Sequence, residues 1–213
     1  MTTAFITHCW KSARPERWLS GLLRACVLTC LLALPAAHAQ NAQLEALRVE
    51  RNDDGLFLTA RVAFTLPAAV QDALHKGIPI HFVAEANVAR ERWYWYDRQV
   101  ADAQRYMRVA YQPLTRRWRL NTSSEPITNA GLGVSLTQHY DTLDEAMAAV
   151  SRIPRWRIAS ASELDHTGRQ TLRFRFRLDA SQLPRTFQIG AVGQTDWVIA
   201  VERRIDLTPE AGQ

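Results

Sequence analysis

The sequence predicts a mainly β protein, namely an antiparallel β-sandwich or strongly curled sheet with two short helices. Apolar and polar residues alternate with a period of two in many short segments, which is typical of strands with one buried face. Clusters of turn-forming residues separate these segments, so we expect neighbouring strands to form hairpins. A helical period appears in only two short stretches. This ratio of strands to helices favours an antiparallel sandwich over an alternating α/β fold.

The first 39 residues have the pattern of a secretory signal peptide. Four basic residues between positions 11 and 24 precede an apolar run at 25–34, and the small residues Ala37 and Ala39 follow. The apolar run is about half the ~20 residues that span a bilayer, so we expect no stable transmembrane anchor. We therefore predict cleavage after Ala39, a periplasmic location and a single β-rich domain at 40–213.

Composition excludes several classes of site from that domain. The three cysteines (Cys9, Cys26 and Cys30) all lie in the leader, so we expect no disulfide, cysteine metal site or cysteine nucleophile. The leader also holds four basic residues and one acid, which leaves the rest of the chain +2 of its formal charge of +5. A charge this small gives no indication of a nucleic-acid partner.

The first half of the domain begins with a predicted hairpin of strands 44–51 and 56–65. The turn between them runs from Asn52 to Gly55, because Asn, Asp and Gly tolerate positive φ. A short helix is predicted at 66–76, with Gly77 as its stop signal. A strand at 78–87 follows.

Four consecutive aromatics, Trp93, Tyr94, Trp95 and Tyr96, predict a strand that is buried on both faces. Successive strand side chains point to opposite faces, and a strand that is apolar on both belongs inside a packed sheet. The alternative interpretation is a stacking platform for a sugar, peptidoglycan or a single-stranded nucleic acid.

The second half of the domain predicts further strands and one helix. Thr142 and Glu145 have the spacing of a capping box, which places a helix start there. The predicted strands lie at 104–111, 116–122, 134–140, 156–158, 172–179, 187–192 and 197–207.

The strand at 172–179 carries the first candidate binding surface. Arg173, Arg175 and Arg177 alternate with apolar residues and so share one face. Like charges on one strand face are unfavourable unless acids or an anionic partner lie opposite. Two interpretations stay open: ion pairs with Glu202 or Asp206 of the last strand, or a site for a partner.

A second candidate surface consists of Arg116, Arg117 and Trp118. An exposed tryptophan between arginines would suit an anionic polymer or a lipid surface. The alternative is an ordinary solvated strand.

Catalytic motifs are absent from the sequence. His75, His81, His139 and His166 form no H-x-H or H-E-x-x-H pattern, and there is no G-x-S-x-G elbow or glycine-rich phosphate loop. We therefore expect no catalytic residues, no metal and no cofactor. The predicted function is a non-enzymatic periplasmic domain that binds a protein or an anionic envelope polymer. An envelope hydrolase using an Asp/Glu pair or a Ser/His pair is the alternative.

Four segments resemble the DUF4390 family of uncharacterised exported bacterial proteins, often labelled "proline-rich signal peptide protein". They are Gly-Ile-Pro-Ile-His-Phe at 77–82, Arg-Trp-Tyr-Trp-Tyr-Asp at 92–97, Tyr-Gln-Pro-Leu-Thr-Arg-Arg-Trp at 111–118 and Leu-Asp-Ala-Ser-Gln-Leu-Pro at 178–184. The resemblance implies export in a Gram-negative bacterium, and no catalytic residues carry over. Family members are encoded near a two-component sensor kinase, which implies such a kinase as a partner in envelope signalling.

Overall fold

The computed structural model describes residues 42–90, 98–127, 135–164, 169–184 and 197–207. All of them belong to the compact unit formed by residues 40–213. The predicted signal peptide, the four aromatics at 93–96 and the predicted strand 187–192 lie outside the described residues. No helix within the described ranges is both long enough and apolar enough to span a membrane.

Strands dominate the described part of the chain. The strands are β1 (Ala42–Asn52), β2 (Gly55–Phe64), β3 (Ile80–Arg90), β4 (Arg98–Gln112), β5 (Arg117–Ser123), β6 (Leu136–Tyr140), β7 (Arg152–Ser160), β8 (Gln170–Leu178) and β9 (Ala200–Leu207). The helices are α1 (Ala68–His75) and α2 (Leu143–Ser151), and a single 3-10 turn covers Ala180–Gln182.

These strands form two antiparallel sheets. The smaller has the order β1-β2-β7, and the larger has the order β6-β5-β4-β3-β8-β9. Every pairing between neighbouring strands is antiparallel. The prediction of a mainly β, antiparallel architecture with two short helices is therefore confirmed.

The core lies between the two sheets. Phe64 of the smaller sheet packs against Phe82 and Phe176 of the larger sheet, with both ring centroids 5.6 Å from its own. Val70 and Leu74 of α1 are fully buried against this core, as four-residue spacing on one helical face predicts. Burial of side chains of this size contributes about 1.5–3 kcal/mol each, so packing is the main source of stability.

Local signals set several element boundaries. In the predicted capping box, the Thr142 hydroxyl accepts from the Glu145 backbone N–H at 3.2 Å, and the Glu145 carboxylate accepts from the Thr142 N–H at 3.4 Å. Gly77 ends α1 at φ +79°, and Gly55 follows the first turn at φ +140°. The predicted short strand 156–158 is instead the longer β7, which pairs with β2 at the edge of the smaller sheet. An edge position explains how this strand accommodates Pro154.

Candidate functional site

The larger sheet has one face packed on the core and one turned away from it, which we call the outer face. On β8, Phe174 and Phe176 are fully buried between the sheets. The alternating residues Arg173, Arg175 and Arg177 therefore point to the outer face, as the sequence predicts, and we call them the arginine row.

Acids on neighbouring strands partly neutralise the arginine row. Glu202 lies 3.5 Å from Arg173 and 3.8 Å from Arg175. The interpretation that Glu202 pairs with the row is therefore confirmed. Asp206, the other acid considered, lies opposite Thr171 and pairs with none of the three.

Arg177 has its own acids, which sequence reasoning missed. It lies 3.1 Å from Glu85 of β3 and 3.3 Å from Asp179. Only the order of strands in the sheet places Glu85 beside β8. Arg173 and Arg175 are left to share one carboxylate, and their side chains are 56% and 48% exposed. Two guanidinium groups and one carboxylate leave one positive charge among these three side chains, and exposed ion pairs of this kind are weak.

Of the second predicted surface, only the two arginines lie at the protein surface. Arg116 lies in the exposed β4–β5 turn at φ +54°, and Arg117 pairs with Asp141 at 2.9 Å. Trp118, however, is only 4% exposed and packs against Tyr111 and His75. The prediction of an exposed Trp118 is wrong, because strand alternation turns its indole into the core. Arg117 is also separated from the arginine row by β3 and β4, so the two surfaces share a face without touching.

Sequence reasoning missed two further arginines, Arg108 of β4 and Arg119 of β5, which we call the central arginines. Both alternate with buried residues (Val109 and Leu120) and therefore lie on the outer face. None of the ion pairs between described residues involves either side chain. The Nε of each is shielded from solvent and has no hydrogen-bond partner among the described residues. Burial, and then the charge of Arg119, lower the pKa of Arg108.

A shallow hollow of about 240 Å³ lies at the other end of the outer face. Arg173 and Arg204 stand directly opposite each other in its wall, and the Asn87 and Gln99 amides and the Thr171 hydroxyl complete the polar lining that the described residues provide. The outer face therefore presents arginines from β4, β5, β8 and β9.

His81 of β3 sits beside the central arginines, directly opposite Arg108. Burial, followed by the charge of Arg108, lowers the pKa of His81 from 6.5 to about 4, against a smaller opposing effect of Asp179. Its Nδ1 is buried without a partner among the described residues. The adjoining cavity, lined also by Tyr106 and Gln182, has a volume of about 10 Å³. It has room for about one water, which is too little for a substrate.

The described residues offer little support for hydrolytic chemistry. Among the described residues that line a cavity of about 450 Å³ beside Arg90 and Arg98, one carries a carboxylate, namely Glu163. That carboxylate accepts hydrogen bonds from the Ser160 N–H and hydroxyl at 2.7 and 2.6 Å, and these bonds hold the pKa of Glu163 below its usual range. A lowered pKa makes a poor general acid. Within the described ranges, no group of three His, Cys, Asp or Glu side chains could hold a metal ion.

Comparison with known proteins identifies the family. No curated protein and no solved structure matches the chain. The model of a family described as "Domain of unknown function (DUF4390)" matches residues 39–205, which include every strand described above except the last two residues of β9. The chain belongs to the DUF4390 family.

Proposed function

We propose that the protein is an exported, non-enzymatic domain that binds an anionic partner through the outer face of its six-stranded sheet. The partner is an acidic protein segment or an anionic envelope polymer. The family resemblance makes the extracytoplasmic part of a sensor kinase one such protein to test.

A single observation carries this proposal, namely that ion pairs among the described residues leave several arginines of one sheet face partly or wholly unpaired. Arg173 and Arg175 share Glu202, and the central arginines have no acid among the described residues. Each exposed guanidinium contributes little to folding, whereas an anionic surface would meet all of them together. Complementary charge of this kind accelerates association and orients the partner.

A matched pair of charge variants tests the proposal. Binding of fluorescent polyglutamate, a mimic of an acidic segment, is measured by anisotropy at low and at physiological salt. We expect the outer-face variant Arg173→Gln/Arg175→Gln to weaken binding about fivefold or more, because two charge-assisted contacts are lost. The control, Arg48→Gln/Arg61→Gln, removes the same charge from exposed positions on the smaller sheet and should change affinity less than about twofold.

Equal losses in the two variants would show that net charge alone drives binding and would refute the outer-face proposal. Binding that does not weaken with salt would also contradict it, since screening acts on exposed charges. Co-purification of the kinase's extracytoplasmic part with the native protein, and its loss in the outer-face variant only, would identify the partner.

A further inference from the structure

We propose that the central arginines, Arg108 and Arg119, form a binding site for the phosphate monoester group of a small soluble ligand. This inference rests on the proposed anion-binding function and narrows it to one ligand chemistry at one place on the outer face.

The strand register brings the two side chains within reach of one ligand. Arg108 stands opposite Asn121, and Arg119 stands opposite Ala110, so the two arginines are diagonal neighbours on the same face. Diagonal neighbours have Cβ atoms about 7–8 Å apart, a distance that two long side chains can bridge through a shared anion. Burial and then the charge of Arg119 lower the pKa of Arg108, as is expected of two cations on neighbouring positions.

The acids around this site are already engaged with other arginines. Asp141 pairs with Arg117 at 2.9 Å. Glu85 and Asp179 both pair with Arg177. Asn121, which stands directly opposite Arg108, carries no negative charge, and its side-chain amide donates a hydrogen bond to the Thr137 hydroxyl at 2.7 Å.

The central arginines consequently lack acceptors that folded proteins normally supply. The shielded Nε atoms of both side chains have no partner among the described residues, and neither does the neighbouring His81 Nδ1. Unsatisfied buried polar atoms are rare in native proteins, and a bound ion is one of their recognised explanations. The two guanidinium Nε atoms, which can only donate hydrogen bonds, point to an anion here.

Charge and geometry favour a phosphate monoester over a carboxylate or a phosphodiester. Two neighbouring guanidinium groups carry two positive charges. A phosphate monoester carries close to two negative charges at neutral pH, whereas a carboxylate or a phosphodiester carries one. The planar guanidinium also donates two parallel hydrogen bonds to phosphate oxygens. The site is partly exposed, so the affinity should be modest.

His81 supplies an independent reporter of occupancy. The charged and titratable groups facing it are Arg108, Asp179 and Tyr106. Because the positive charge of Arg108 helps to lower the pKa of His81, an anion bound to Arg108 should raise that pKa. If Arg108 had only a structural role, adding the ligand would not change the pKa of His81.

The test compares two phosphate esters at constant ionic strength and pH 7.5. Glycerol phosphate, a monoester, and dimethyl phosphate, a diester, are titrated into the exported protein at this pH, and binding is followed by NMR. A separate pH titration with and without the monoester then follows the His81 ring signals. We expect the monoester to bind about tenfold tighter than the diester and to raise the His81 pKa. Arg108→Gln and Arg119→Gln should each weaken monoester binding about tenfold or more, and Arg48→Gln less than about twofold.

Several outcomes would overturn the inference. These are equal binding of both esters, monoester binding unaffected by Arg119→Gln, or binding only to vesicles of phosphodiester lipids. Arg108→Lys, which keeps the charge but loses the two-pronged geometry, covers the case in which Arg108→Gln fails to fold, and it should also weaken monoester binding. A wild-type protein that binds polyglutamate but no monoester would refute this inference alone, whereas one that binds neither would refute the proposed function as well.

Discussion

Lowering the pH from 8 to 5 should destabilise the protein through His81. The folded protein holds the pKa of His81 at about 4, and the ordinary value of 6.5 applies to the unfolded chain. The unfolded chain therefore takes up a proton near pH 6.5 that the folded protein resists until about pH 4. Stability from His81 is complete above pH 6.5 and is lost progressively as the pH falls towards 4.

The magnitude follows from the two pKa values. Between pH 8 and pH 5 this linkage amounts to about 2 kcal/mol. Because His81 is partly exposed, solvent screening should reduce the effect to about 1 kcal/mol. A loss of this size is a substantial fraction of the stability of a typical domain, about 5–15 kcal/mol.

Urea unfolding at pH 8 and pH 5 measures this loss as the change in free energy of unfolding. Other groups also titrate in this range, so the quantity of interest is the difference between the wild type and His81→Gln. We expect the wild type to lose about 1 kcal/mol more than this variant. Parallel losses in the wild type and His81→Gln would refute the reasoning.

Three further predictions concern folding. Gly55→Ala should cost about 2 kcal/mol or more in urea unfolding, because an added Cβ would lie 2.1 Å from the Ala159 carbonyl oxygen and φ is +140°; Gly77→Ala, where a Cβ meets open space, should cost less. Thr142→Ala should lower the free energy of unfolding by about 1 kcal/mol by removing the cap of α2, whereas Thr142→Ser should not. Arg119→Gln should leave the melting temperature unchanged or raise it, since it relieves repulsion of Arg108, and a clear fall would contradict the assignment of these charges as uncompensated.

Local sequence patterns were sufficient to predict most of the architecture. Alternation locates β8, because a strand with one buried face must repeat every two residues. The turn before Gly55 and the capping box of α2 depend on residues within three positions of each other, so their chemistry is visible in the sequence.

The candidate site was less predictable, because it depends on which strands are neighbours. The arginine row could be predicted from the alternation of residues within β8 alone. The central arginines belong to different strands of a hairpin, and their proximity requires the β4–β5 register. The central arginines could have been found by aligning the outward-facing residues of the two strands in the predicted hairpin. Trp118 was misassigned because its arginine neighbours suggested exposure, whereas its place in the alternation governs its burial.

The sequence by itself determined the β-rich class, the main turns, the helix cap and the presence of an arginine row, because each follows from residues close together in the chain. The tertiary structure alone decided the order β6-β5-β4-β3-β8-β9, and with it the pairing of Arg177 with Glu85 and the grouping of Arg108, Arg119 and His81. Charges and pKa values depend on distances across strands that are far apart in sequence, and only the packed sheet sets those distances.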